Sequence, residues 1–304
     1  MISIKNLSKS FDEKTVLSDI SLEIRDGSLF GLIGCNGAGK TTLLNIVSGF
    51  YTPSCGSVSV STGSGACNPY DNPEVKKELF YLTDDMYFMP HATLNDMRDY
   101  YAGFYPTYSD KSFAALCDLF ALSTNKPLHT FSKGMKRQAS LCIALASGAR
   151  TLLLDETFDG LDPDKRRTVR SLLGEYMLEK NATVVLSSHN LFELESICDT
   201  VGMLNGTRLA FRGDVEEMKS RIFGYTAIIE GEIPAGLFDG LRVRSVCADG
   251  AMLTFLSEEN EETLRKRIEA HATLRKIEAR RLNLEEIFDY ETEGQGREIT
   301  HIFS

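Results

Sequence analysis

The sequence predicts an α/β protein whose sheet is interrupted by a helical insertion and followed by a small C-terminal α+β domain. Two observations support this fold class. Short apolar strands alternate with helical segments up to about residue 220, except at residues 93–150, where the periodicity is helical. Beyond residue 224 several short strands surround one acidic amphipathic helix. We therefore expect two domains, residues 1–220 and 224–304.

The elements of the first domain follow from local patterns. Strands are expected at residues 2–4, 16–24, 29–33, 151–154, 182–186 and 201–204. Helices are expected after Gly39 and at residues 93–103, 109–121 and 133–147. Two more are expected, one between the strand at 151–154 and Lys180, and one after His189. Ser109 is the expected N-cap of its helix, and residues 61–73 are expected to form a surface loop.

The C-terminal domain has strands on both sides of a helix. Strands are expected at residues 225–230, 241–247, 252–255 and 274–279, and a helix at residues 258–270. This order predicts a split β-α-β arrangement.

The composition excludes several classes of protein. The chain has 304 residues, 42% hydrophobic and 25% charged, so extensive disorder is not expected. Its net charge of -10 gives no broad positive field, and no nucleic-acid partner is expected. Its 7 cysteines lack a C-x-x-C pair and are expected to be reduced thiols. No signal peptide is indicated, and no apolar run reaches the roughly 18–20 residues of a membrane-spanning helix.

The strongest functional signal is a glycine-rich loop between a buried strand and a helix. Residues 34–41 match the pattern G-x-x-x-x-G-K-[ST], whose backbone N–H groups surround phosphates at a helix N-terminus. In this pattern Lys40 reaches the β- and γ-phosphates, and the Thr41 hydroxyl binds Mg²⁺. The residues predicted to bind the nucleotide here are Gly34, Asn36, Gly37, Ala38, Gly39, Lys40, Thr41 and Thr42.

A second signal is an apolar strand that ends in two carboxylates. Asp155 and Glu156 follow residues 151–154. At the carboxyl end of a strand beside the phosphate loop, Asp155 can hold Mg²⁺ through water, and Glu156 can polarise the water that attacks the γ-phosphorus. The two signals together predict a P-loop ATPase or GTPase.

Three further segments resemble motifs of the ABC ATPases. Residues 131–138 resemble the signature motif, residues 159–162 the D-loop and residues 184–189 the switch-histidine strand, in the order and spacing of that family. The resemblance extends from residue 1 to about residue 220. It implies a P-loop NTPase fold of the ABC-ATPase type, with a mixed sheet and a helical subdomain at about residues 84–150, that hydrolyses ATP with Mg²⁺.

The resemblance also assigns roles to residues at a subunit interface. Ser132 and Gly134, at the start of a helix, would bind the γ-phosphate of an ATP molecule held by the phosphate loop of a second subunit. Asp162 would bridge the two subunits near that loop. Such a site is complete only in a head-to-tail dimer.

Two more side chains receive roles from the resemblance. His189 would contact the γ-phosphate and support Glu156, and a buried structural histidine is the alternative. Phe11 occupies the position of the aromatic residue that stacks on adenine, and a core phenylalanine is the alternative.

Three segments depart from the family pattern, and one of them, Thr157 and Phe158 where proline and threonine are usual, is not expected to matter. Lys133 and Met135 stand in the signature where glycine and glutamine are most common, so contact with the ribose of the opposite ATP is not transferred to this chain. Asp84 aligns best with the glutamine of the Q-loop. Because its carboxylate can contact the ion through water, Asp84 is predicted as a magnesium residue with Thr41 and Asp155.

Within the family, several features favour a transporter subunit. No long coiled-coil insertion separates Gly39 from Ser132, only one phosphate loop is present, and the charge is acidic, which disfavours the branches that act on DNA or ribosomes. The signature and residues 282–288 resemble the ATPases of two-component drug, peptide or antibiotic exporters of Gram-positive bacteria. The alternatives are an importer, or a soluble ATPase that regulates a protein or nucleic-acid complex.

The resemblance implies a transmembrane permease on a separate chain and a dimer formed with a second copy or with a related ATPase. It places the protein in the cytoplasm, at the inner face of the cell membrane. The helical insertion and the segment before it are rich in aromatic residues. In this family that region receives a cytoplasmic helix of the permease, so we expect some rings to line this surface, with packing between helices as the alternative. These residues are Tyr87, Phe88, Tyr100, Tyr101, Phe104, Tyr105 and Tyr108.

Overall fold

The computed structural model describes residues 1–231, 233–234 and 236–292. The chain divides into two units, Met1–Arg212 and Gly213–Ser304. The boundary precedes the expected one, because the helix Val215–Arg221 contacts a later helix of the second unit. Residues 293–304 of the expected C-terminal domain lie outside the described residues.

The described residues form the following strands and helices. The strands are β1 (Ile2–Phe11), β2 (Lys14–Ile24), β3 (Leu29–Ile33), β4 (Cys55–Thr62), β5 (Gly65–Cys67), β6 (Leu79–Leu82), β7 (Thr151–Asp155), β8 (Thr183–Ser188), β9 (Thr200–Asn205), β10 (Arg208–Asp214), β11 (Phe223–Glu230), β12 (Val243–Asp249), β13 (Met252–Ser257) and β14 (Thr273–Arg281). The helices are α1 (Lys40–Val47), α2 (Pro73–Glu78), α3 (Leu94–Ala102), α4 (Asp110–Leu119), α5 (Lys133–Ala146), α6 (Pro163–Lys180), α7 (Leu191–Glu195), α8 (Val215–Arg221), α9 (Glu261–Glu269) and α10 (Leu284–Thr292). Within this described part, none of the helices has both the length and the apolar character that crossing a bilayer requires.

A largely parallel sheet with the strand order β10-β9-β3-β8-β7-β6 positions the predicted site. Strands β3, β7 and β8 consist of buried residues, as expected for apolar runs covered on both faces. Strand β8 lies parallel between β3 and β7, with Ile33 opposite Ser188 and Asp155 opposite Ser187. The carboxyl ends of these strands therefore share one edge of the sheet, where the phosphate loop and the two carboxylates follow.

The other sheet of this unit is antiparallel, in the order β2-β1-β4-β5, and it corrects one prediction. The interpretation of residues 61–73 as a surface loop is wrong in part. Val60 pairs with Cys67 in a hairpin, and α2 begins at Pro73. The sequence pattern misses this hairpin because β5 is short and consists of glycine, alanine and cysteine rather than alternating apolar and polar residues.

The helical insertion consists of α3, α4 and α5, close to the expected ranges. Thr93 caps α3. Ser109 Oγ accepts a hydrogen bond from Ser112 N at 3.1 Å, so Ser109 is the N-cap that the sequence predicts. Ser132 Oγ accepts one from Met135 N at 3.2 Å, so the segment that resembles the signature lies at a helix start.

The second unit contains an antiparallel sheet in the order β12-β13-β11-β14. Strands β13 and β14 both pair antiparallel with β11, so they run parallel to each other with β11 between them. Because α9 connects β13 to β14, the predicted split β-α-β arrangement is confirmed. The core of this unit contains Tyr225 stacked on Phe255, with 5.5 Å between ring centroids, and the buried Leu264 and Ile268 of α9.

Gly49, just after α1, has a conformation that excludes a side chain. Its φ is 79°, and a Cβ atom would lie 2.2 Å from the Pro69 carbonyl oxygen. We predict that Gly49→Ala lowers the free energy of unfolding by about 2–4 kcal/mol, because of backbone strain and displacement of the Pro69 peptide. The control is Gly174→Ala inside α6, where a Cβ atom meets nothing within 4 Å beyond its chain neighbours and the nearby backbone of its own helix, and stability should hold or rise by up to about 1 kcal/mol. Equal midpoints of the two variants in urea unfolding would contradict this prediction.

Candidate active site

Two left-handed glycines shape the loop between β3 and α1. Gly37 and Gly39 have φ values of 83° and 95°, which other residues adopt only with strain. A Cβ atom on Gly39 would also lie 2.8 Å from Leu17 Cδ2. Helix α1 follows directly, so the N–H groups of its first turn, which lack partners within the helix, are available to an anion.

Lys40 is held inside this loop. Its side chain is only 6% exposed. Its Nζ donates hydrogen bonds to the carbonyl oxygens of Gly34 at 2.6 Å and Cys35 at 3.4 Å, and it lies 3.1 Å from Glu156 Oε1. The charge predicted to bind the phosphates therefore lies within the loop and next to the predicted catalytic carboxylate.

Asp155 is surrounded by hydroxyl groups. Its Oδ2 accepts a hydrogen bond from Thr41 Oγ1 at 2.7 Å, and its Oδ1 accepts one from Ser187 Oγ. The Tyr81 hydroxyl lies 3.4 Å from Oδ2. Burial and the charge of Asp155 raise the pKa of Tyr81 well above its ordinary value, so this phenol remains a donor. Carboxylate and hydroxyl oxygens are the ligands that Mg²⁺ prefers, so Thr41 and Asp155 fit this ion.

The sequence analysis missed Ser187 and Tyr81. Ser187 could have been found from strand register, because it lies opposite Asp155 in the parallel pair β7–β8. Tyr81, on β6, gives no such signal, since it lies opposite Leu153 of β7 and reaches the Asp155 carboxylate only with its hydroxyl.

Glu156 leaves β7 in a left-handed conformation, with φ of 47°. Its backbone N–H donates to the Ser187 carbonyl oxygen at 3.2 Å, and its Oε2 lies 2.9 Å from His189 Nδ1. The His189 side chain is 50% exposed, which excludes a buried structural histidine. The structure thus brings the two predicted catalytic residues together with Lys40.

Phe11 lies at the end of β1 and is 39% exposed. Its ring meets the Tyr51 ring edge-on at 5.4 Å, and Lys9 Nζ lies 4.9 Å from its centroid. This exposure excludes the core alternative. Stacking of Phe11 on adenine stays a prediction, with Tyr51 as a neighbouring ring that the sequence analysis did not identify.

The signature segment contacts the segment predicted as the D-loop in the same chain. Lys133 Nζ lies 2.9 Å from Asp159 Oδ2, and this hydrogen-bonded ion pair raises the pKa of Lys133 and lowers that of Asp159. A Cβ atom on Gly134 would lie 3.2 Å from the Gly160 carbonyl oxygen. Among the described residues, no hydrogen bond or ion pair joins residues 131–138 to the phosphate loop. Ser132 and Gly134 therefore remain outside the group around Lys40.

Asp162 has a local structural role. Its side chain accepts a hydrogen bond from Lys165 N at 2.9 Å and caps α6. Its predicted role between subunits stays a prediction.

Asp84 has a cationic partner that the sequence analysis missed. Its exposed carboxylate accepts a hydrogen bond from the guanidinium of Arg137, whose side chain is buried. Arg137 also donates to the Thr83 carbonyl oxygen at 3.3 Å. The predicted magnesium contact of Asp84 stays a prediction, and it would have to compete with this ion pair.

The parallel sheet, the glycine loop around Lys40 and the paired carboxylates define a P-loop nucleoside triphosphatase. The family model described as "ABC transporter" matches residues 17–159. A solved structure of an ATP-binding subunit of an ABC transporter superimposes with a TM-score of 0.64 at 26% identity, covering 72% of this chain and 92% of that chain.

Curated relatives point to the same family. The ABC transporter ATP-binding protein YtrB of Bacillus subtilis is 26% identical over 98% of this chain and 100% of its own length. The Nod factor export ATP-binding protein I of Rhizobium etli is 28% identical over 94% and 92%. The methionine import ATP-binding protein MetN of Clostridioides difficile is 30% identical over 72% and 70%. This chain belongs to the ATP-binding proteins of the ABC transporter family and is an ATPase, as predicted, and its mixed α/β fold class is confirmed.

The Asp84–Arg137 pair allows a stability test. We predict that Asp84→Asn lowers the free energy of unfolding by about 1–3 kcal/mol, because a buried guanidinium loses its carboxylate. The matched control is Asp85→Asn at the neighbouring exposed position, which should stay within about 0.5 kcal/mol of wild type. Chemical unfolding of both variants measures the difference, and an Asp84→Asn variant as stable as the control would show that the pair contributes nothing.

Proposed function

We propose that this ATPase works as a head-to-tail dimer, with a second copy or a related ATPase, and that it drives a separate transmembrane permease in the direction of export. The observation that carries the proposal is the single group formed by Lys40, Thr41, Asp155, Glu156 and His189. This group supplies the phosphate-binding cation, the metal-binding oxygens and the base that ATP hydrolysis requires.

Each residue of this group has a role in the proposed hydrolysis. The Lys40 ammonium binds the β- and γ-phosphates. To do so, it gives up its contact with the Glu156 carboxylate. Thr41 and Asp155 would hold Mg²⁺, which neutralises phosphate charge when bound. Glu156 polarises the attacking water, and His189, 2.9 Å from its Oε2, keeps the carboxylate oriented.

Two features support a dimer. The signature segment begins at the N-terminus of α5, where backbone N–H groups favour an anion, and it has no hydrogen bond or ion pair to the phosphate loop among the described residues. A second chain is therefore needed to bring Ser132 and Gly134 to the γ-phosphate. Closure on two ATP molecules and opening after hydrolysis would supply the motion that the permease uses.

The direction of transport is supported by coverage along the chain. The export relative from Rhizobium etli aligns over nearly the whole of this chain, whereas the import relative from Clostridioides difficile aligns over 72% of it. The C-terminal segment therefore has a counterpart in an export protein. Import remains the competing proposal, and transport assays with the reconstituted permease in oriented vesicles separate the two.

The aromatic residues of the helical insertion divide into packed and exposed rings. Burial raises the pKa of Tyr101 to about 12, and it raises the pKa values of Tyr105 and Tyr108 still further, as expected for packing between helices. Tyr100 and Phe104 are exposed and meet edge-on at 5.0 Å. The packing alternative drawn from the sequence therefore applies to Tyr101, Tyr105 and Tyr108, and the exposed Tyr100 and Phe104 are free to take part in a partner surface.

The exposed rings lie on a cavity of about 330 Å³, the aromatic groove. We propose that this groove receives a cytoplasmic helix of the permease, since interface cores favour tyrosine and phenylalanine. Its aromatic lining consists of Phe50, Tyr81, Tyr100, Tyr101, Phe104 and Tyr105.

Glu156→Gln tests the catalytic group. We predict that ATP binding persists, that turnover falls by at least about 100-fold, and that the protein elutes as a dimer with ATP.

Lys40→Ala should instead weaken ATP binding by at least about tenfold. The control is Glu175→Gln on the exposed face of α6, which should behave as wild type. Nucleotide binding, phosphate release and size-exclusion chromatography measure these effects, and normal turnover of Glu156→Gln would exclude Glu156 as the base.

The double variant Tyr100→Ala/Phe104→Ala tests the aromatic groove as the permease surface. We predict that permease recovered by affinity purification falls by at least about fivefold, because two exposed interface rings are lost, while ATP binding stays unchanged. The control is Leu178→Ala, an exposed apolar residue on α6. Full recovery of permease with the double variant would exclude the groove as its surface.

A further inference from the structure

Tyr81 connects two parts of the molecule that have separate roles in the proposed function. Its hydroxyl lies 3.4 Å from Asp155 Oδ2. Its ring lines the aromatic groove and meets the Phe50 ring edge-on, with 6.2 Å between centroids and 61° between planes. Phe50 is 69% exposed, so a two-residue path runs from the surface to the carboxylate.

The other donors to Asp155 are not linked to the groove in this way. Ser187 binds Oδ1 from β8 and also accepts a hydrogen bond from Glu156 N at 3.1 Å, so it belongs to the catalytic edge. Thr41 binds Oδ2 from α1, within the phosphate loop. Tyr81 is the donor among these three that is also in the lining of the groove.

The residue predicted to provide a magnesium contact near this edge, Asp84, is engaged elsewhere. Its carboxylate pairs with the buried Arg137, and neither residue is among those that line the groove. Asp84 lines a different cavity, together with Arg137 and Lys136. The Tyr81 hydroxyl therefore provides the direct contact between groove and carboxylate that Asp84 does not provide.

We propose that Tyr81 is a positioning residue for Asp155, and that it couples occupancy of the aromatic groove to the geometry of this carboxylate. Displacement of Phe50 by a bound helix would shift the Tyr81 ring and its hydroxyl, and Asp155 Oδ2 would then rely on Thr41 alone. The inference rests on the proposed role of Asp155 in holding Mg²⁺. It gives the permease surface a physical route to the nucleotide site.

Tyr81→Phe tests the positioning role, because it removes the hydroxyl and keeps the ring. The matched control is Tyr105→Phe, which removes another hydroxyl of the groove lining, one bonded to the Leu79 carbonyl oxygen at 3.2 Å. Binding of fluorescent N-methylanthraniloyl-ADP is measured against MgCl₂ concentration and in EDTA. We expect Tyr81→Phe to need roughly three- to tenfold more Mg²⁺ for half-maximal enhancement of ADP-analogue binding, because one hydrogen bond to a charged group is lost. Binding of the analogue in EDTA should stay unchanged. Equal Mg²⁺ dependence in Tyr81→Phe and the control would overturn the proposal.

Phe50→Trp tests the coupling from the groove side. The chain contains no tryptophan, so Trp at this exposed position is a single fluorescent reporter. We expect its emission to change when Mg²⁺ is added to the ADP complex, and this change to disappear when Tyr81→Phe is combined with it. A change of the same size in the combined variant, or no change in Phe50→Trp alone, would overturn the coupling.

Different outcomes would exclude the metal role of Asp155 and the positioning role of Tyr81. If Mg²⁺ does not enhance nucleotide binding by the wild-type protein, the proposed metal role of Asp155 is wrong. If Mg²⁺ enhances binding equally in wild type and Tyr81→Phe, only the role of Tyr81 is wrong.

Discussion

The fixed position of the Asp155 carboxylate is the constraint on which the site depends. Three hydroxyls reach it from three elements: Thr41 from α1, Ser187 from β8 and Tyr81 from β6. These elements come together because β7 lies parallel between β6 and β8, and because its apolar residues are completely buried. The packing of the sheet thereby sets where the Asp155 carboxylate lies relative to the phosphate loop.

The parts of the site predicted from sequence are those formed by contiguous residues. The phosphate loop from Gly34 to Thr41 needs only local backbone geometry, and Asp155 and Glu156 follow a strand that its apolar run already defines. Strands β3, β7, β8 and β9 and the helical insertion were predictable for the same reason, since each element has its own periodicity. Strands β6 and β10 of the same sheet were not among the expected strands. Two contacts made across elements escaped prediction, whereas the approach of His189 to Glu156 was expected from the family resemblance. Tyr81 and Arg137 meet their carboxylates only after strands and helices are packed, and no pattern along the chain marks them.

The altered signature has a physical consequence within one chain. Gly134 is kept where a side chain would crowd the Gly160 carbonyl, while Lys133 stands where the family most often has glycine. The Lys133 ammonium reaches across to Asp159, so an ion pair joins the signature segment to the segment predicted as the D-loop. Both partners are largely solvated, so the pair orients these segments more than it stabilises the fold.

The left-handed backbone of Glu156 has an implication for engineering. A non-glycine residue in this region carries about 1–2 kcal/mol of unfavourable conformational energy, which the surrounding contacts with Ser187 and His189 must offset. Glycine or asparagine would adopt the same backbone more readily. The same substitutions would leave the buried Lys40 ammonium without its carboxylate partner, so relief of backbone strain at position 156 is opposed by the loss of an ion pair, and selection for heat resistance would act on both at once.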